Sequence, residues 1–368
     1  MNKLKYVVAL GFFLLIAVLF AKKEAVFNSR VPPKDPVPSV SFEEVLDSIS
    51  KEEIKNNLFF LASDQLEGRM SGKRGNILAA EFLKNKFESY GLKTITQKFK
   101  IRRMNPGPFN EQGNDYTENV YAYIEGTDKE LKNEIVVVGA HMDHIGYGPS
   151  MSRGNEIKIH PGADDNASGT VALLELARCF SKLKNDVKRT VVFMAFSAEE
   201  MGLIGSKFYC ENPLFPLEDP SISNHVFMLN MDMVGYLGEG RYNVSFSDGN
   251  SSIEVEKIIE GLSKDYSFAK KITGRRTGGS DHACFYNKKV PIAFLHTGLH
   301  PHYHKPTDTA ERINYEGLCE VTRYAFELSW SVANDSTAPE FNYGSFVEMD
   351  LDHDHGYQEF PLEERAEK

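Results

Sequence analysis

His141, Asp165, Glu200, Asp232 and His304 stand far apart in the chain, yet each belongs to a segment of the same design. In order these segments are GAHMDHIG, PGADDNASG, AFSAEEMGLIGS, LNMDMVGY and YHKPTDT, short apolar runs ending in side chains able to bind metal. Two imidazoles and three carboxylates suit zinc, which accepts mixed nitrogen and oxygen ligands. The charges of three carboxylates and a bridging hydroxide also balance those of two zinc ions. Such a set would hydrolyse a substrate with water held at the metals. Taken singly, His141 would be a satisfied buried histidine, Asp232 a cap, and Asp164-Asp165 a helix start favoured by the dipole. The joint pattern is what points to metal.

Elements of an α/β domain must position these residues. The run Ile135–Ala140 (IVVVGA) is continuous β-branched sequence of the kind buried in parallel sheets. Further strands are predicted near 93–102, 118–126, 190–196, 226–231, 242–247 and 290–295. Helices are expected over 42–64, 76–90, from the DNASG segment, from about Leu203, and over 253–265, 281–287 and 315–333. Strands alternate with helices throughout, so the fold expected is a three-layer α/β/α sandwich with a mixed, mostly parallel central sheet. His141, Glu199-Glu200 and Asp232 then fall where buried strands end, the place where loops of open α/β sheets converge.

The outer bounds agree with one such domain. A chain of 368 residues, 41% hydrophobic and 26% charged, is ordinary for a globular protein and long enough for one large α/β domain or two small ones. Of the net charge of −10, the stretch from Ala333 to Lys368 carries most, with ten acids against Arg365 and Lys368. The body is therefore close to neutral and has no basic stripe, which excludes nucleic acid as an expected partner. Lys3 and Lys5 precede an apolar run from Tyr6 to Ala21, followed by Lys22-Lys23. Residues 1–21 thus read as a signal peptide or an uncleaved membrane anchor, placing the chain in the periplasm, in the cell envelope or outside the cell. Residues 22–40, Pro-rich from Val31, read as a linker, 41–333 as the catalytic domain and 334–368 as an acidic disordered tail. The tail's DLDHDHG departs from a calcium loop, with His355 where Gly is needed and Pro361 where Glu is needed. Cys179, Cys210, Cys284 and Cys319 have no CxxC spacing, and buried free thiols are the expectation for them.

The runs PGADDNASGTVALLELA, RTVVFMAFSAEEMGLIGS, LNMDMVGY, GGSDHACFYNKKVP and YHKPTDT together resemble the secreted or envelope double-zinc aminopeptidases of the MH clan, the leucyl-aminopeptidase-like zinc exopeptidases. The likeness covers roughly Ser41 to Ala333. It implies two zinc ions per subunit and removal of the N-terminal residue of peptides. It also implies roles for individual residues. Asp165 would bridge the metals, His141 and Asp232 would complete one, and Glu200 with His304 the other. Glu199 resembles the general base; neighbouring residues leaving a strand point in different directions, so one glutamate can bind metal while the other faces the water. Asp143 resembles the carboxylate that orients the His141 imidazole, and Asp308 would do the same for His304 or serve a turn. Tyr303 would donate to the tetrahedral oxyanion.

Other readings stay open on the same scaffold. One is a glutaminyl-cyclase-like acyltransferase with a single zinc, which the complete ligand set argues against. Another is a non-catalytic binding or receptor domain, which Glu199 argues against. A His141–His144 metal pair is not expected, because that spacing after a strand need not converge. His300 and His302 are expected in a surface loop, and Ser280-Asp281-His282 at a helix start. The substrate side chain would be read by loops around Gly274–Gly279 and Thr297–His302, with Arg275 or Arg276 available for a peptide terminus. Carboxypeptidases and dipeptidases share these ligands.

Overall fold

The single helix expected over 42–64 is two helices. In a computed structural model of the chain, describing residues 40–101, 115–148, 151–154, 157–214, 221–237, 246–247, 251–266, 268, 272–273 and 279–343, α1 (Phe42–Asp47) stops and α2 (Lys51–Leu61) starts anew. Ser50 has extended backbone and its hydroxyl accepts the Glu53 N–H, meeting a donor that a helix start leaves orphaned. α3 (Arg74–Ser89) buries Ala79, Ala80, Leu83 and Phe87, one face at helical spacing.

The strands then assemble in an order different from their order in the chain. β1 (Lys93–Lys100) and β2 (Tyr116–Ile124) pair antiparallel. β3 (Ile135–His141), β4 (Thr190–Phe196), β5 (His225–Met231) and β6 (Ile292–Leu295) run parallel in a six-stranded sheet ordered β1-β2-β4-β3-β5-β6, in which β2 meets β4 antiparallel. β3 and β4 are buried at every position, which is why they read as unbroken apolar runs. Alternate side chains serve opposite layers. Val136, Val138, Val191 and Phe193 pack with α2, α3, α4 (Gly169–Lys182), α6 (Ile253–Leu262) and α8 (Tyr315–Asn334). Val137, Val192, Met194 and Phe196 pack with α5 (Ile204–Glu211) and α7 (His282–Asn287). The chain is therefore the expected three-layer α/β/α sandwich.

The winding positions the site. From β3 the chain crosses one face through α4 to reach β4. It returns over the other face through α5 to β5, on the far side of β3. The carboxyl ends of β3, β4 and β5 border the crevice where this direction reverses, the position at which open α/β sheets bind ligands.

Two expectations are corrected here. Cys210 of α5 and Cys284 of α7 form a disulfide, with Cα atoms 6.3 Å apart, because both helices pack in the same layer. Cys179 and Cys319 are buried free thiols. Nor does ordered structure stop at Ala333. Arg189 donates to the carbonyls of Val332 and Asp335, Phe341 packs on Tyr286, and the Asn342 N–H reaches the Ser251 carbonyl. Among the described residues no helix is long and apolar enough to cross a membrane. The run 6–21, the linker to Ser39, the loop 274–278 and DLDHDHG lie outside the described residues.

Candidate metal centre

His141 ends β3, Glu199-Glu200 follow β4, Asp232 follows β5, Asp165 lies in the turn before α4, and His304 lies in the loop after β6. Three of these segments carry a non-glycine residue in left-handed backbone: Ala198 (φ 61°), Met233 (φ 53°) and His304 itself (φ 53°). Such backbone is costly for L-residues and persists where surrounding bonds impose it. Those bonds are present. Ser71 Oγ accepts the Ala198 N–H, Asp143 Oδ1 accepts the Glu199 N–H, and Asn166 Oδ1 accepts the Met233 N–H. Beneath the site, the fully buried Arg69 guanidinium donates to the carbonyls of Leu61, Met142, Pro161 and Gly162, tying the His141 segment to the Asp165 turn. Sequence reasoning missed Arg69. Its one signal was its place in the Gly-punctuated loop LEGRMSGKRG.

Five residues converge with the separations that metal ligands need. His141 Nε2 lies 3.4 Å from Asp165 Oδ1 and 3.4 Å from Asp232 Oδ1. His304 Nε2 lies 3.1 Å from Asp165 Oδ2 and 3.1 Å from Glu200 Oε2. Ligands about 2.0–2.1 Å from one tetrahedral zinc stand roughly 3.3 Å from each other. Asp165 thus offers one oxygen to each of two sets. His141 Nε2 and Asp232 Oδ1 are buried and make no hydrogen bond among the described residues, as donors aimed at a shared ion would. The site fits zinc.

Two other triplets, His141–Glu199–Asp232 and His144–Asp165–Glu200, also present donor atoms within 4.8 Å of one another. Their separations fit ligation less well. Glu199 Oε2 stands 4.0 Å from His141 Nε2, outside the tetrahedral edge. His144 Nδ1 is 2.7 Å from Glu200 Oε1, a hydrogen-bond distance shorter than the edge between two ligands of one tetrahedral ion. The cleft over these groups is lined by Asp165, Glu199, Glu200, Asp232, Met233, Gly279 and Tyr303.

Charge divides the adjacent glutamates. Burial raises the Glu199 carboxyl well above the usual carboxylate range; His141 opposes this, and Asp232, Glu200 and Asp281 add to it. Burial acts in the same direction on Glu200, but His304 and His144 hold it well below that range. For His304 burial disfavours the charge, yet Glu200 and Asp165 raise its pKa to about 11.

The supporting residues sit as follows. His141 Nδ1 is 3.3 Å from the Asp143 carbonyl and 3.7 Å from its carboxylate. The Asp308 carboxylate accepts the N–H groups of Asp164 and Asp165, while His304 Nδ1 bonds the Met151 carbonyl at 3.0 Å. Asp164 turns away to the Gly235 N–H and to His300 Nε2 at 3.1 Å. His300 is therefore buried, stacked on Tyr236, and not a surface-loop residue. Tyr303 is buried beside His304, with the Arg153 guanidinium over its ring at 4.6 Å. His144, set aside from the sequence, is buried against Glu200. Its signal was only its spacing from His141.

A family model described as Peptidase family M28 matches residues 119–329. Leucine aminopeptidase 2 of Arthroderma otae is 30% identical over 239 residues, covering 57% of this chain and 43% of that protein. The chain spans less than half the length of the curated leucine aminopeptidases it matches. Among solved structures, the aminopeptidase from Aneurinibacillus sp. strain AM-1 superposes with a TM-score of 0.64 at 19% identity, covering 85% of this chain and 98% of that one. The glutaminyl cyclase of Bacteroides thetaiotaomicron, bound to N-acetylhistamine, gives a TM-score of 0.61 at 17% identity over 78% of this chain and 99% of that one.

Proposed function

This chain belongs to peptidase family M28, and from that premise we propose that it is a two-zinc aminopeptidase that hydrolyses the N-terminal bond of peptides. One observation carries the reading: the two oxygens of Asp165 face two different donor sets, with His141 and Asp232 on one side and His304 and Glu200 on the other. Bound there, zinc would supply a Lewis acid for the scissile carbonyl and lower the pKa of the attacking water toward ~7. Glu199, outside both sets and raised by burial, takes the proton from that water and hands it to the departing amine. Tyr303, at the cleft wall, donates to the developing oxyanion. Asp143 holds the Glu199 backbone and lies behind His141, so it acts on the base and on a ligand together. Asp308 shapes the turn that presents Asp165.

The disulfide fits an oxidising compartment, in keeping with export directed by the run Tyr6–Ala21. The glutaminyl cyclase of Bacteroides thetaiotaomicron shares this fold, and metal count separates a two-zinc peptidase from a single-zinc cyclase reading. Elemental analysis after mild dialysis is expected to return close to two zinc per chain. A panel of peptides blocked at either end should show cleavage only where the α-amino group is free. One zinc or fewer, with no gain in activity on added zinc or cobalt, would overturn the two-metal reading. Cleavage of amino-blocked peptides would overturn the aminopeptidase.

A further inference from the structure

We propose that His144 is a positioning residue that holds Glu200 to a one-oxygen bond with its zinc; the inference rests on the two-zinc reading above. His144 Nδ1 lies 2.7 Å from Glu200 Oε1, and both residues are buried. Two lone pairs cannot face each other at that distance, so Nδ1 carries the proton and donates. Glu200 Oε1 is then engaged by His144, while Oε2 lies 3.1 Å from His304 Nε2, which is itself 3.1 Å from Asp165 Oδ2. A carboxylate without this restraint can rotate and present both oxygens to one ion. With Oε1 tied, Oε2 alone would bind the ion, which would keep a position open for water.

The fold keeps the imidazole in place. The His144 N–H reaches the Arg69 carbonyl at 3.3 Å, and its ring stands edge-on to His304 at 5.6 Å. Gly162 makes the space: at φ 58° it lies so close that a Cβ there would come within 2.5 Å of His144 Cγ and Cδ2.

The test compares the full-length wild type with H144A, H144N and H144L, reading zinc affinity by chelator competition and the absorption of the cobalt-loaded proteins. In H144A one zinc should weaken by about 10- to 100-fold while the other stays tightly held. Cobalt in the affected site should absorb more weakly as its coordination number rises. Asparagine hangs its amide nitrogen from Cγ as histidine does Nδ1, so H144N should restore affinity and spectrum to within a few-fold of wild type. Leucine, similar in bulk and without a donor, should behave as alanine. Wild-type affinity and spectrum in both H144A and H144L would overturn the proposal. Metal loss in H144N equal to that in H144A would overturn it too, since His144 would then be a ligand. A wild type that binds one zinc sinks the two-zinc reading separately, and the His144 proposal is then decided by whether that ion's affinity and spectrum change in H144A.

Discussion

Glu199 and Glu200 are chain neighbours with opposite surroundings. Glu199 is buried near Asp232 and Asp281 and gains affinity for a proton. Glu200 is held ionised between His304 and His144. Environments that push two carboxylates apart in this way separate a base from a ligand. Replacing Glu199 by Gln keeps size and hydrogen bonding but removes the proton acceptor. Zinc content should stay near wild type, turnover should fall ~100-fold or more, and KM should change little. Replacing Glu200 by Gln removes an anionic oxygen from one of the two proposed metal sites, so one zinc should be lost or weakly held, with activity partly regained at high zinc. Steady-state kinetics alongside metal analysis checks both. Swapped behaviour would reverse the roles, and an active Glu199→Gln enzyme would remove the general-base mechanism.

At the scale of elements, the disulfide joins α5, which begins just after Glu200, to α7, which begins just after Asp281. Its two cysteines are 74 residues apart, so the bond closes a long loop and restricts the unfolded chain. Replacing Cys210 and Cys284 together by Ser should lower the unfolding free energy by about 2–4 kcal/mol, read by denaturant titration. An unchanged midpoint would mean that the layer formed by α5 and α7 is held by packing alone. A second cross-tie binds that layer to the sheet, joining Tyr209 of α5 to His225 of β5. The Tyr209 hydroxyl donates to Nε2 at 2.7 Å, with His225 Nδ1 near the Ser221 carbonyl.

The burial of His225 makes the stability of the whole molecule depend on pH. Burial lowers the His225 pKa from 6.5 to about 4, against the pull of the Ser221 and Ile222 backbone. The unfolded chain therefore takes a proton that the native chain resists. The contribution is full above pH 6.5 and is lost as pH falls toward 4, by about 3 kcal/mol in all. Unfolding titrations at pH 7 and pH 5 should show this slope, and a His225→Asn variant should lack it. Equal slopes in the two proteins would reject the assignment. The C-terminal segment offers a second test at this scale. Deleting 344–368 should leave zinc content unchanged and turnover within a few-fold, since no proposed ligand lies there and its acidic composition cannot build a core. Cutting instead after Ala333 removes the contacts of Asn334, Asp335, Phe341 and Asn342, and should lower the melting temperature.

Much of this protein was legible in the chain itself, because the signals were local. A short unbroken run of β-branched residues such as IVVVGA reads as a doubly buried strand, and its end places His141 at the crevice. The same reasoning placed Glu199-Glu200 and Asp232, and the five metal motifs carried the family. A local signal was also overlooked, since Ser50 as a helix start divides what reads as one helix over 42–64. The remaining features pair residues whose separation along the chain says nothing of their distance in space. Cys210 meets Cys284 only because α5 and α7 share a layer. Asp165, and not Asp164, faces both donor sets because Asp308, Gly235 and His300 fix how that turn is held. His144 reaches Glu200 because β3 and β4 are neighbours and Gly162 leaves room for the ring. Types and periods along a chain specify elements and the residues at their ends. Which of those side chains share a hydrogen bond, a disulfide or a metal is decided by the order of strands in the sheet and the layer each helix joins.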